Sequence, residues 1–341
     1  MTLRFPGLID VHCHLREPGA THKEDFITGT KAALKGGFTF VIDMPNNPEP
    51  TLSMEALNKK ISLAKEKAFC DVGFHYGTNG LNTSTFEQAF SNPNVFGLKV
   101  YLNHTTGSLL IENQVLLEDV FKSWQSQKPI LVHAEGEEKL AMAISLAKKH
   151  GHRLHLCHIA RKEEVAQVQK AKAEGQKITA GVCPHHLFMT KEDAKKMKGF
   201  ALMKPELGTL EDQQALWKGL RGGVIDLVET DHAPHTKKEK QNPPAGGPAP
   251  FGVPGLETTL PLLLTAVSEN RLTIDDVIRL CHTGPAQCFH VSIHHNTNVE
   301  VDLDAKYEIK NENLHTKCKW SPFDGWKVKG KVLRVFLRGE K

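Results

Sequence analysis

The chain lacks any apolar run approaching the roughly 18–20 residues that would cross a bilayer, so a membrane-spanning helix is not expected. It has little excess charge: 43 Lys and Arg stand against 39 Asp and Glu, a formal net charge of +4, and the two signs are well mixed. Without a basic stripe to follow a phosphate backbone, nucleic acid is not expected as a partner, and a small molecule is. The seven cysteines show no paired spacing and none falls in a CxxC, an odd, scattered set that suits free thiols in a reducing compartment. The opening residues, Met1 to Pro6, have no apolar stretch of the kind a secretion signal carries, so the expected location is cytoplasmic. No GxGxxG opens a helix after the first apolar run, which removes the usual sign of a dinucleotide-binding, doubly wound sheet.

What the chain does have is histidine, 19 in all, in clusters that include His12/His14, His155/His158, His185/His186 and His232/His235. It also has a regular alternation. Short apolar runs at 8–14, 38–45, 70–77, 95–102, 129–135, 153–159, 177–184 and 226–234 are separated by longer stretches with helical spacing, among them 23–35, 54–67, 137–149, 162–174 and 210–220. Strands buried on both faces and alternating with helices form parallel sheets, and eight such units are most economically closed into a (β/α)8, TIM-type barrel. The stretch 236–254, rich in Lys, Pro and Gly, is expected to be a loop, because helical patterns resume at 256–267 and 274–280. Alternating segments at 299–302, 307–310 and 328–337 are expected to form a small β appendage. The expected division is a barrel over 7–292 and a β subdomain over 293–341.

Candidate ligands gather at one end of the expected strands. Strand one closes on Asp10-Val11-His12-Cys13-His14, where residues two apart share a face. Strand four carries Lys99 in Gly97-Leu98-Lys99-Val100-Tyr101, strand five ends in His133-Ala134-Glu135, strand six in Cys157-His158 and strand eight in Thr230-Asp231-His232. Each has an ordinary explanation when taken singly: a satisfied strand histidine, or an aspartate capping a turn. Lys99 is harder to dismiss, since an unpaired lysine inside an apolar strand is costly. Their joint placement at the carboxyl ends of the strands, where barrel active sites are built, points to a dinuclear metal site, and a nitrogen and oxygen donor set suits catalytic zinc.

These stretches, with Leu15-Arg16-Glu17-Pro18-Gly19, Met44-Pro45-Asn46, Pro184-His185-His186-Leu187, Asp231-His232-Ala233-Pro234-His235 and Pro254-Gly255-Leu256-Glu257-Thr258, resemble the amidohydrolase superfamily and, within it, dihydroorotases over essentially the whole chain. Arg161-Lys162-Glu163-Glu164, residues 260–269 and Val328-Lys329-Gly330 resemble in particular the dihydroorotase domain of the multifunctional pyrimidine-synthesis protein of animals. The resemblance implies two zinc ions per chain bridged by Lys99 carboxylated with carbon dioxide. One ion would be held by His12, His14, Lys99 and Asp231, and the other by Lys99, His133 and His158. It implies reversible interconversion of N-carbamoyl-L-aspartate and L-dihydroorotate, in which a hydroxide shared by the two ions attacks the ring amide carbonyl and Asp231 relays the proton. Arg16, Asn46 and His235 would clamp the substrate carboxylate, with further contacts from Thr105, Lys204 and the backbone of Phe251 and Gly252. The resemblance further implies a homodimer and, because so little precedes the first barrel strand, covalent linkage to other pyrimidine-pathway domains.

Two departures stand out. Lys204 replaces an arginine, and Gly181 replaces a glutamate that in some relatives helps hold a third zinc with the cysteine matching Cys157. Regular strand alternation would turn Cys157 away from His158, so two ions and a buried free thiol are expected. The competing expectations are another cyclic amidase, such as a dihydropyrimidinase or allantoinase, and a barrel without catalysis kept as a scaffold.

Overall fold

The computed structural model describes residues 1–242 and 247–340; within the 236–254 stretch, residues 243–246 lie outside the described residues. Thr2–Pro6 forms β1, and after Gly7 the chain enters β2 (Leu8–Cys13), whose six residues are all buried. Seven more strands follow: β3 (Phe38–Asp43), β4 (Asp71–Gly77), β5 (Val95–Tyr101), β6 (Ile130–His133), β7 (Leu154–Leu156), β8 (Ile178–Val182) and β9 (Leu227–Val228). From β2 to β9 they lie side by side in sequence order, all parallel. Eight runs of apolar residues thus give the expected eight strands.

The sheet curls until its first and last strands nearly meet. The His14 amide donates to the His232 carbonyl at 2.7 Å, and Cys13 bridges His232 in parallel. Below that point Asp10, fully buried, accepts from the Thr230 amide at 2.9 Å and the Thr230 hydroxyl at 2.7 Å. Ile9, Val11, Ile42, Met44, Leu131 and Leu227 fill the interior with Phe289 and Val291 beneath them, so the barrel is a packed core below the cleft at its carboxyl end.

The intervening helices bury one stripe each. In Glu137–His150 the buried positions Leu140, Ala143 and Ala147 recur at helical spacing while lysines face outward. The first helix runs Phe26–Lys35, three residues shorter than its apolar pattern, because Asp25 accepts from the Thr28 amide at 2.7 Å and caps it there. The 236–254 stretch is not wholly loop: Thr236 and Glu239 form a capping box that starts a short helix, Lys237–Gln241.

The appendage is a three-stranded antiparallel sheet ordered β1, β10 (Asn298–Glu308), β11 (Lys327–Phe336). Two segments read separately from the sequence, 299–302 and 307–310, fall largely in the single strand β10, whose register shifts between Asp302 and Lys306. β1 pairs along β10 from Thr2 opposite Asp302 to Pro6 opposite Asn298, so this sheet takes in a strand that precedes the barrel. Among the described residues no helix is long and apolar enough to cross a membrane. All seven cysteines are buried and free.

Candidate active site

The cleft at the carboxyl end of the barrel is built from strand ends. β2 delivers His12 within the strand and His14 just beyond it, β6 ends on His133, and the turns after β7 and β9 deliver His158 and Asp231. His14 Nε2 lies 3.1 Å and His12 Nε2 3.4 Å from the same atom, Asp231 Oδ1. Facing them, His133 Nδ1 and His158 Nε2 are 3.0 Å apart, and the His158 ring centroid is 5.1 Å from that of His12. Lys99 lies behind the cleft wall in β5, fully buried, with Nζ donating to Cys157 Sγ at 3.1 Å and 5.0 Å from the Tyr101 ring centroid. Among the described residues no carboxylate forms an ion pair with it.

The nitrogens pointing away from the cleft are also held. His12 Nδ1 meets Glu229 Oε2 at 3.3 Å, His14 Nδ1 meets Asn46 Oδ1 at 2.8 Å, and His133 Nε2 meets Glu135 Oε1 at 3.0 Å. Three imidazoles each held on one nitrogen by an oxygen, with the other aimed into a shared space, is the arrangement in which histidine serves a metal. Burial, reinforced by the charge of Lys99, lowers the pKa of His12 to about 4. Burial, with Arg16 nearby, holds His14 well below its usual value, and burial likewise lowers His133 and His158. The rings are therefore neutral near pH 7, with lone pairs free to ligate. Burial pushes the Asp231 carboxyl up. The backbone is also unusual at the same place: Arg16, His158 and Asp231 have φ of 63°, 35° and 41°, a region that few non-glycine residues occupy.

Six of the expected substrate-contact residues, Arg16, Asn46, Thr105, Lys204, Phe251 and Gly252, line this cleft. The Arg16 guanidinium is buried; its Nε donates to the Pro234 carbonyl at 3.1 Å, and among the described residues it has no carboxylate partner. His235 sits behind it, with Nε2 3.1 Å from Arg16 Nη2 and 2.9 Å from the Phe251 carbonyl, while Nδ1 accepts from Lys23 Nζ at 3.1 Å. Asn46 has both ends of its amide engaged, since Nδ2 donates to the Thr106 carbonyl at 2.8 Å. That contact lays the 103–109 segment over the cleft, and the Thr106 hydroxyl reaches the Phe251 carbonyl at 3.4 Å on the far side. Lys204 reaches Glu206 at 3.2 Å and Glu135 at 3.9 Å.

His232, beside Asp231, turns out of the site and meets Glu24 at 3.2 Å. Cys157 does not turn away from the cleft residues as strand alternation implies. β7 ends at Leu156 and His158 takes a left-handed backbone, so Cys157 and His158 both project toward the site, the thiol onto Lys99. Two residues escaped the sequence reading. Tyr101 lines the cleft with a buried hydroxyl that has no partner among the described residues, and its place two residues past Lys99 was the available signal. Glu229 is a fully buried acid in the last apolar run, where a carboxylate always requires donors.

The amidohydrolase family model matches residues 3–341. Multifunctional protein CAD of Squalus acanthias is 45% identical over 339 residues, which covers 99% of this chain and 15% of that protein. The dihydroorotase of Pyrococcus horikoshii is 34% identical over 364 aligned residues, covering 98% of this chain and 80% of that enzyme. The chain thus spans about 15% of the length of the multifunctional relative and most of the length of the free-standing one. Among solved structures, L-hydantoinase (dihydropyrimidinase) from Arthrobacter aurescens aligns with a TM-score of 0.92 at 23% identity, over 100% of this chain and 86% of that one, a likeness of fold. The inactive dihydroorotase-like domain of the Chaetomium thermophilum CAD-like multifunctional protein aligns with a TM-score of 0.83 at 27% identity, over 100% of this chain and 94% of that one. Fold, cleft and relatives agree, and the chain belongs to the amidohydrolase family and, within it, to the dihydroorotases.

Proposed function

We propose that this chain is a zinc-dependent dihydroorotase that reversibly converts N-carbamoyl-L-aspartate to L-dihydroorotate for pyrimidine (UMP) biosynthesis. The observation that carries the reading is a buried guanidinium without an acidic partner, Arg16, in the same cleft as four neutral imidazoles and a carboxylate. The imidazoles suit a metal, and the free guanidinium suits a planar carboxylate on the substrate.

His12, His14 and Asp231 would hold one zinc and His133 and His158 the other, with Lys99 carboxylated between them. A buried ammonium whose polar neighbour is a thiol is costly, and carboxylation turns it into an anion that two cations would neutralise. When bound, the two ions would polarise the ring amide carbonyl and acidify the attacking water. Asp231 accepts the proton that this water releases and delivers it to the departing ring nitrogen, a role open to it because Oδ1 already faces the cleft. In the closing direction the same carboxylate works in reverse. Arg16, backed by His235, fixes the substrate carboxylate; Asn46, Thr105, Lys204, Phe251 and Gly252 close around the ring, and the unpartnered Tyr101 hydroxyl offers one further donor. Closure turns a dianion into a monoanion and consumes one proton, so its equilibrium should rise about tenfold for each unit fall in pH above the carboxyl range. We further propose that the chain acts as a homodimer and as one domain of a longer pyrimidine-pathway polypeptide, in keeping with its likeness to the multifunctional relative.

The test is a substrate panel on the purified chain. Dihydroorotate should be hydrolysed and hydantoin or allantoin, which lack the ring carboxylate, should not. Arg16→Lys should raise KM for dihydroorotate by an amount equivalent to about 1.5–3 kcal/mol, the loss of one charge-assisted fork, with little change in folding. Unchanged KM and kcat would remove Arg16 from the clamp. The likeness to an inactive domain supports the opposing reading of a scaffold, and an absence of turnover in the zinc-loaded chain would decide for it.

A further inference from the structure

Gly181 has no side chain, and the space beside it is filled from the next strand. A Cβ built on Gly181 would lie 2.5 Å from Glu229 Oε1, 2.6 Å from its carboxyl carbon and 3.1 Å from its Cγ, so all three nearest atoms belong to Glu229. Gly181 pairs with Leu227 where β8 meets β9, and Glu229 follows Val228 at the end of β9. The positive φ that would demand glycine does not occur at Gly181. The Glu229 carboxyl is the first thing a side chain there would meet.

That carboxyl is fully buried and committed on both oxygens. Oε2 accepts from His12 Nδ1 at 3.3 Å and His155 Nε2 at 3.4 Å, and Oε1 accepts from the backbone amide of His158. One carboxylate therefore touches residues from two sides of the cleft: a ring that presents Nε2 to Asp231, and the strained backbone that presents the His158 ring to His133.

We propose that Glu229 is a positioning residue of the metal centre, and that Gly181 is the vacancy in β8 that admits it. By accepting a hydrogen bond from His12 Nδ1–H it holds the tautomer whose Nε2 lone pair faces the cleft and makes that nitrogen a stronger ligand. By accepting from the His158 amide it holds a left-handed turn that would otherwise relax. The proposal rests on the reading of His12 and His158 as zinc ligands. His12, Cys157 and Glu229 also lie close enough for their donor atoms to fall within 4.8 Å of one another, as ligands of a further ion would. The existing hydrogen bonds favour positioning, since both carboxylate oxygens already accept from N–H groups and the thiol faces Lys99.

The experiment uses the full chain with zinc as the probe, competed against a graded chelator, together with zinc content per chain and thermal melts of the metal-stripped protein. Glu229→Gln should release zinc at about 10- to 100-fold lower chelator than wild type, the usual effect of losing such a partner. Gly181→Glu alone puts two carboxylates in one space and should lower the melting temperature. Combined with Glu229→Ala it returns a carboxylate to that space and should recover most of the lost affinity. Wild-type affinity in Glu229→Gln and Glu229→Ala would overturn the proposal while leaving the ligand assignment intact. So would a zinc content that falls from three to two in Glu229→Ala, since Glu229 would then be a ligand. A wild-type chain that takes up no zinc would overturn both readings together.

Discussion

At Lys99 an amine lies in the interior against a thiol and an aromatic ring, with its strand neighbours all apolar or backbone. If it bridges two ions as a carbamate, Lys99→Ala removes a ligand from both. The variant should lose most of its zinc and all measurable turnover, and short carboxylic acids in excess should restore part of it; full zinc content with near-normal turnover would exclude the bridge. Asp231 is a different case, because its replacement by asparagine preserves shape and leaves a weaker, neutral ligand while removing the capacity to accept a proton. Asp231→Asn should keep the fold and slow hydrolysis and closure alike by about 10²- to 10⁴-fold, the range of general acid–base catalysis. Survival of closure with loss of hydrolysis would show that one group does not serve both directions.

At the scale of elements, the barrel depends on how β2 meets β9. β9 is only two residues long, so its ladder is too short to close the sheet, and Asp10 supplies the missing contacts by holding both the amide and the hydroxyl of Thr230. Burial raises the Asp10 carboxyl to about 7 against the pull of those bonds. Asp10→Ala leaves the buried Thr230 amide without its acceptor and should cost about 1–3 kcal/mol, read as a lower melting temperature, with the Asp231 turn loosened beside it. A variant as stable as wild type would place the closure elsewhere. The same short strands explain what the sequence did and did not disclose. Apolar runs mark strand beginnings, since a strand buried on both faces has no other way to be written, and the His12/His14 pairing follows from alternation within β2. Alternation stops being a guide where the ladder stops. Beyond Leu156 and Val228 the chain turns with positive φ at His158 and Asp231, which is why Cys157 came to face Lys99 against expectation. Glu229 was missed for a related reason: its partners lie on β2 and β7, and only the closed barrel brings them together. Likewise β1 was not among the strands expected from the sequence, and it acquires its role from a pairing almost three hundred residues away.

The molecule as a whole is a packed barrel that leaves one end open, lined there by groups that are costly to bury unless something binds them. Neutral imidazoles aimed inward, a carboxylate against two of them and an arginine line one cleft, with a lysine just behind its wall, and among the described residues neither cation has an acidic partner. Metal and an anionic substrate would relieve each of these together, which is the central claim. The most direct test is zinc content measured alongside dihydroorotate hydrolysis on the same purified, dialysed chain, before and after chelation and re-addition of zinc. The account predicts about two zinc ions per chain, turnover that falls with them and turnover that returns with them. Hydrolysis at an undiminished rate by chain stripped of metal would contradict it.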